Sequence, residues 1–406
     1  MTTKKNNSFQ TLFFLSIALF LTSCKKDDTE AIETIRIGGL FSITGNWSTL
    51  GKTSREAMNL ALVDVNEYMV ERGSRYRFST VNYDTRLDTA DAKAAIISGF
   101  TNSGVKIFIG PQSSAEVAAV KDYANSNGLL VVSQGSTASS LAIPNDAIFR
   151  YCPGDAVEGS AIANSMFTSG KRAVITMARN DVGNIGLQNS VGANFSALGG
   201  QADAIAPYAA NLTDYAALLA QLKTKILQYS NSLGADKVAV YLAAFDGTTD
   251  IFRQASTDPV FSSVNWYGGD GVVKSAVLLA DTVACNFSIA TGFFAPDFGL
   301  PLQPHPDLAS VSAAILANTG IEADAYALSV YDIMWVIART IADYPEVLTD
   351  FGRMKSAFSE ESGSYYGISG PTLLNANGDR ALGSFDYWGI VKEAGVYTWK
   401  VVGKSQ

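Results

Sequence analysis

Apolar and polar positions follow two rhythms along this chain. From residue 34 onward, short runs rich in β-branched and aromatic residues are separated by longer stretches in which apolar residues recur every three or four positions, the spacing of one helix face. Residues 34–41 predict a strand. Residues 54–67 place Ala57, Leu60, Ala61 and Val65 at helical spacing behind a capping Ser54. Strands at 76–83, 105–109 and 129–133 alternate with helices around 88–101 and 114–127. Such alternation predicts a parallel sheet covered by helices on both faces.

The rhythm restarts after Phe149, Arg150, Tyr151, Cys152, Pro153 and Gly154. Helix 158–169, strand 171–178, helices 185–198 and 212–230, strand 237–242, helix 248–256 and a strand near Trp266 form a second unit. A strand at 289–294 leads through Phe293, Phe294, Ala295 and Pro296 into a second crossing between the units. Helices at 307–318 and 323–343 follow, and 383–402 alternates as closing strands. The predicted fold class is α/β, with two doubly wound Rossmann-like lobes, 34–151 plus 296–384 and 152–295 plus 385–406. More than one crossing makes them a hinged pair. Ligands of such sheets bind beyond the carboxyl ends of the strands, so the interlobe cleft is the expected site.

Composition narrows the chemistry. The 406 residues carry 30 Lys and Arg against 38 Asp and Glu, a net charge of −8. That balance disfavours nucleic acid, whose binding needs basic patches that release counterions. A single histidine, His305, lies in a proline-rich loop, and Cys152 and Cys285 are dispersed. No metal cluster of familiar spacing can be built from them, and a catalytic triad would have only His305 as its base. No metal, cofactor or catalytic role is therefore expected. In an oxidising compartment the two cysteines either pair or stay apart as buried thiols.

The N-terminus sets the compartment. Lys4 and Lys5 precede a greasy run at residues 12–24. Its length suits the apolar core of a secretory signal, roughly 7 to 15 residues, and falls short of the roughly 20 needed to span a membrane. Residues 1–23 are thus read as a signal peptide of an exported protein. Leu21, Thr22, Ser23 and Cys24 resemble the lipobox of bacterial lipoproteins, which implies lipidation of Cys24 and a membrane anchor in the cell envelope, periplasmic or on the outer-membrane surface. Residues 24–33, with Lys25, Lys26, Asp27 and Asp28, form a charged tether.

Three loops could hold a ligand. Gly110-Pro111-Gln112-Ser113-Ser114-Ala115-Glu116 follows the third strand and opens a helix. Ser113 and Glu116 have capping-box spacing, leaving Ser114 at the positive end of the helix, where an anion is stabilised. The next strand ends in a hydroxyl-rich loop containing Gly135, Ser136 and Thr137, a polar turn on composition alone that adjacent parallel strands would set beside Ser114. In the second lobe, Tyr267-Gly268-Gly269-Asp270-Gly271 offers one carboxylate among glycines, either a turn former or a partner for an ammonium group.

These segments, with Gly39-Leu40-Phe41-Ser42-Ile43-Thr44-Gly45, Gly51 and Asp324-Ala325-Tyr326-Ala327, occur in an order that resembles the Leu/Ile/Val-binding family, the type I periplasmic binding proteins of ABC importers. The resemblance spans residues 34–400 and implies a Venus-flytrap fold with three interlobe crossings. It implies that Ser114, Gly135 and Thr137 take a ligand carboxylate, with Ser136 in the same loop. Asp270 takes the amino group, Phe245 lines the pocket, and Trp47 covers the ligand side chain. Val182 and Leu50 stand where that family often has aromatics. The implied function is a lipid-anchored receptor that delivers an amino acid or similar small polar metabolite to an ABC permease. An envelope or signalling module of the same fold, binding a protein partner, is the alternative.

Overall fold

The computed structural model describes residues 1–3, 31–301 and 303–405. The apolar leader, Cys24 and most of the tether fall within residues 4–30, outside the described residues. The first sheet contains β1 (Glu33–Phe41), β2 (Tyr76–Asp84), β3 (Ile107–Ile109), β4 (Leu130–Ser133) and β5 (Ile148–Arg150), all parallel in the order β2-β1-β3-β4-β5. A second sheet is formed by β6 (Ala173–Ala178), β7 (Gln201–Ala204), β8 (Val238–Ala243), β9 (Asn265–Gly268) and β10 (Phe294–Phe298). A short hairpin, β11 (Tyr366–Gly367) and β12 (Gly370–Pro371), lies between this sheet's two segments in sequence. The antiparallel β13 (Phe385–Glu393) and β14 (Val396–Lys404) then complete the order β14-β13-β10-β9-β8-β6-β7. Every residue of β6 and β8 is buried, as required of parallel strands covered on both faces.

Strand order reverses between β1 and β3 in one sheet and between β6 and β8 in the other. The loops after these four strands, which include Trp47, Ser113, Asp181 and Phe245, lie at the two switch points where open α/β sheets bind ligands.

The chain changes sheets three times. It leaves β5 for the helix Asp155–Thr168, which packs on the helix Val182–Ala197. It returns after β10 to the helices Leu308–Thr319 and Ala325–Asp343, which pack on the helix Ser48–Glu71 of the first lobe. After the β11-β12 hairpin it re-enters the second sheet at β13. The boundary expected at 295/296 falls inside β10, which pairs with β13 along its whole length, Phe298 opposite Phe385. The crossing therefore begins after Phe298. The helix Ala325–Asp343 is long and apolar enough to cross a membrane, yet 83% of its apolar window is buried in the lobe, so it serves as a core helix.

Some elements depart from the periodicity. Residues 282–290 form a helix capped by Asp281, whose carboxylate accepts Ala284 N–H at 2.8 Å, and the strand expected at 289–294 starts only at Phe294. A short apolar run does not distinguish helix from strand, and here the capping aspartate decides. β7, partly exposed and ending in Asp203 and Ala204, lacks an apolar run to betray it.

A buried ion pair braces the crossings. Arg150, 2% exposed, forms a fork with Asp379 at 2.6 and 2.8 Å and donates to the carbonyls of Ser136 and Ala138. Two crossing segments and the hydroxyl-rich loop are thereby fixed by one guanidinium whose donors are used together. Cys152 and Cys285 are buried free thiols in separate apolar clusters.

Candidate ligand site between the lobes

The first wall is built by backbone economy after β1 and β3. A Cβ on Gly51 would sit 1.8 Å from Ser42 O, so only glycine lets the helix Ser48–Glu71 start this close to the strand end. Ser42 N–H donates to Gln112 Oε1 at 3.1 Å, and Gln112 Nε2 donates to Trp47 O at 3.0 Å. Gln112 thereby joins the first loop to the third. Ser113 caps the helix Ser114–Asn127 with a complete capping box: Glu116 N–H donates to its hydroxyl at 3.3 Å, and its own N–H donates to Glu116 Oε2 at 3.2 Å. Burial pushes the Glu116 carboxyl up to about 7, against the lowering effect of its bonds to Ser113.

Ser114 Oγ is held by Ser136 Oγ at 3.1 Å and by Ala138 N–H at 3.1 Å. Ser136 therefore stands behind Ser114 and is absent from the cavity lining. Gly135 is close-packed, since a Cβ there would lie 2.8 Å from Gln112 O and 3.2 Å from the Trp47 ring. Thr137 accepts Asp155 N–H on its carbonyl at 2.9 Å. The carboxyl of Asp155, pushed up to about 6 by burial, rests against the Thr137 side chain and Ser139 N–H.

The opposite wall comes from the second lobe. Asp181 caps the helix Val182–Ala197, accepting Asn184 N–H at 3.0 Å, and is paired with Arg179 at 2.7 Å. A Cβ on Gly183 would lie 3.3 Å from Ser114 Oγ, so two helix N-termini, one from each lobe, converge on the cavity. Asp270 is 7% exposed; Tyr326 O–H donates to its Oδ2 at 2.7 Å, and its own N–H donates to Glu158 Oε1 at 3.2 Å. Burial pushes the Asp270 carboxyl up to about 7, opposed by the Tyr326 bond and reinforced by nearby Asp155. Glu158 is raised too, by burial and by the charge of Asp270.

The structure gathers Trp47, Ser114, Gly135, Thr137, Phe245 and Asp270 around one cavity of about 10 Å³, room for roughly one water. Ser113, Asp181, Gly183, Asn184 and Leu187 also line it. The Asp181-to-Asn184 capping spacing signals a helix start at the cleft, and Leu187 follows one turn later. Val182, 38% exposed, lies outside the cavity, and Leu50 is buried behind it.

The cleft is closed. Trp47 N–H donates to Asp246 Oδ2 at 2.7 Å, Asp246 N–H donates to Asn46 Oδ1 at 3.0 Å, and Ala276 N–H donates to Thr49 Oγ1 at 3.1 Å. The Trp47 and Phe245 rings, one from each lobe, meet at 4.7 Å between centroids. Trp47 adopts a left-handed backbone, φ 55° and ψ 29°, which costs a bulky residue about 1–3 kcal/mol and persists only where the surroundings over-determine it. Among the described residues no group of His, Cys, Asp or Glu could hold a metal ion.

Residues 34–378 match the family model described as periplasmic binding protein. The chain belongs to that family. An uncharacterised protein of Methanocaldococcus jannaschii is 26% identical over 394 residues, 91% of this chain and 89% of the relative. Solved structures share the fold. The branched-chain amino acid transporter substrate-binding protein LivJ of Streptococcus pneumoniae, in complex with isoleucine, is 19% identical with a TM-score of 0.71, covering 92% of this chain and 99% of that one. The leucine-binding protein LivK of Thermotoga maritima is 21% identical with a TM-score of 0.70 over the same shares. This periplasmic binding protein thus has the type I architecture of the Leu/Ile/Val-binding group. Membership of the family implies an extracytoplasmic location.

Proposed function

We propose that this protein is a non-catalytic solute receptor, anchored through lipidated Cys24, that captures an amino acid in the interlobe cleft and presents it to an ABC-type permease. The observation that carries the reading is the lining of one cavity from both lobes: the Ser114 and Thr137 hydroxyls beside a helix N-terminus, and the Asp270 carboxylate in the opposite lobe. That arrangement matches the two charges of a zwitterion, with hydroxyls and amides for the carboxylate and a charge-assisted bond for the ammonium. The amino acids named for LivJ and LivK support the same class. Closure follows from differential affinity, since a ligand that bonds both walls stabilises only the shut state.

Thermal unfolding of the purified chain across a panel of amino acids tests the proposal. A ligand at 100 times its dissociation constant adds about 2.7 kcal/mol of stability, so at least one amino acid should raise the melting temperature. The nearly filled cavity is the observation that favours a rival, an envelope or signalling module whose shut lobes bind a protein. No stabilisation by any amino acid, with capture of a cell-envelope protein, would establish the rival.

A further inference from the structure

Five buried carboxyls meet where the chain passes between the lobes. Asp155 and Glu158, 1% and 0% exposed, stand in the first turn of the helix entered after the first crossing. Asp297, near the end of β10, and Asp324, the cap of the helix Ala325–Asp343, flank the second crossing, and Asp270 completes the group from the segment after β9. Three of the five accept hydrogen bonds across the lobe boundary: Asp155 from Ser139 N–H at 3.3 Å, Asp270 from Tyr326 O–H at 2.7 Å and Asp297 from Ala325 N–H at 3.3 Å. Among the described residues none of the five forms an ion pair. Glu158 Oε2 and Asp297 Oδ1 have no hydrogen-bond partner, nor does the buried Tyr241 hydroxyl beside Gly269.

The charge around them is one-sided. Glu158 faces Asp155, Asp270 and Asp297 together with the phenols of Tyr241, Tyr326 and Tyr387. Asp270 faces Asp155, Asp324 and the Cys152 thiol besides. The nearby cations are engaged elsewhere. Lys274 acts on Asp297 and Asp324 from a distance, but its Nζ donates to Ala323 O at 2.6 Å and lies over the Trp388 ring. Arg150, near Asp155, is held in its fork with Asp379, and Arg380, near Cys152, donates to the carbonyls of Tyr151 and Ser369. A buried carboxylate without a cation is costly, and a like charge beside it adds to the cost. Burial accordingly pushes Asp155 up to about 6 and Asp270 up to about 7. Glu158 and Asp297 are raised too, by burial first and then by the charges of Asp270 and Asp324 respectively.

We infer that these carboxyls make the hinge proton-operated: with no ligand present, the lobes shut on protonated acids and part as the acids ionise. Parting the lobes breaks the three cross-lobe bonds and admits water along Asp270, which lines the cavity, so the acids return toward the ordinary carboxyl value of about 4. The shut form therefore binds more protons than the open form. It is favoured at low pH and loses ground as pH rises from about 4 through 7, by about tenfold in the shut-to-open ratio for each pH unit over which one proton is released. Glu158 is the member whose effect can be read by itself, since it touches no part of the ligand cavity.

Small-angle X-ray scattering of the purified, unliganded chain across pH 5 to pH 8 tests it. The radius of gyration should be larger at pH 8 than at pH 5, with far-ultraviolet circular dichroism unchanged to show that both forms are folded. Glu158→Gln, which keeps the shape of the side chain and cannot ionise, should hold the lobes shut to a higher pH. Asp297→Asn should do the same, and supplies the test should Glu158→Gln fail to fold. Glu116→Gln, at an equally buried acid in a helix cap of the first lobe, should leave the midpoint of opening where it is. A radius that is unchanged or smaller at pH 8 would overturn the inference. So would a Glu158→Gln or Asp297→Asn midpoint equal to that of the wild type or shifted no further than that of Glu116→Gln. No ligand enters the measurement, so its outcome is independent of the amino-acid reading.

Discussion

Asp270 concentrates the chemistry of the cleft in one carboxyl. Burial favours its neutral form in the empty site, whereas a ligand ammonium favours the charged form, so binding should expel a proton. Affinity for an amino acid should accordingly fall as pH drops below about 7, and titrations in buffers of different ionisation enthalpy should reveal the released proton. Asp270→Ala should cost roughly 1.5–3 kcal/mol of amino-acid affinity, the range for hydrogen bonds to charged groups, and much less for a carboxylate without an amine such as propionate. Equal losses for both would remove its assigned role. Gly51 is the other decisive single position. Gly51→Ala drives a methyl into Ser42 O, a backbone atom that cannot rotate away, and chemical denaturation should register a loss of about 1–3 kcal/mol or more.

At the scale of elements, much of the site was legible because helix starts write themselves in short spacings. Ser113 and Glu116 announced a capping box, and the structure contains it in full. Ser113→Ala should cost about 0.5–2 kcal/mol from the cap, and the larger end of that range is expected because Glu116 stays buried with one partner fewer; urea unfolding reads it directly. That Ser114, Thr137 and Asp270 share one cavity could be anticipated because each follows a strand at a polar or glycine-rich segment. What periodicity did not disclose has physical causes. The helix Ser48–Glu71 begins six residues before Ser54 because Trp47 turns left-handed under bonds from Gln112 and Asp246, both remote in sequence. Ser136 shares its loop with Thr137, yet its hydroxyl is spent on Ser114, a choice made by side-chain direction rather than composition. Asp181 and Leu187 join the cavity only because the second lobe folds over the first.

Across the whole molecule, the two-lobe α/β plan was readable from the restart of the strand-helix rhythm, while the closed state was not, since its interlobe bonds link residues about 200 positions apart. Folding also buries acids. Burial holds Glu116 up to about 7, and Asp155 and Asp332 up to about 6, against about 4 in an unfolded chain. Between about pH 4 and 7 the native state therefore binds more protons than the unfolded one, and stability falls as pH rises through that window. The unliganded protein should melt at a higher temperature at pH 5 than at pH 8, opposite in direction to the pH dependence of ligand affinity. A melting temperature that instead rises with pH over this range would show that these carboxyls are ionised in the native state.

The most direct test is a crystal structure of the protein grown with the amino acid that most raises its melting temperature. The expected result is one molecule of it between the lobes, its carboxylate within hydrogen-bond distance of Ser114 and Thr137 and its ammonium on Asp270. That amino acid bound elsewhere, or a cleft closed and empty at its saturating concentration, would contradict the reading.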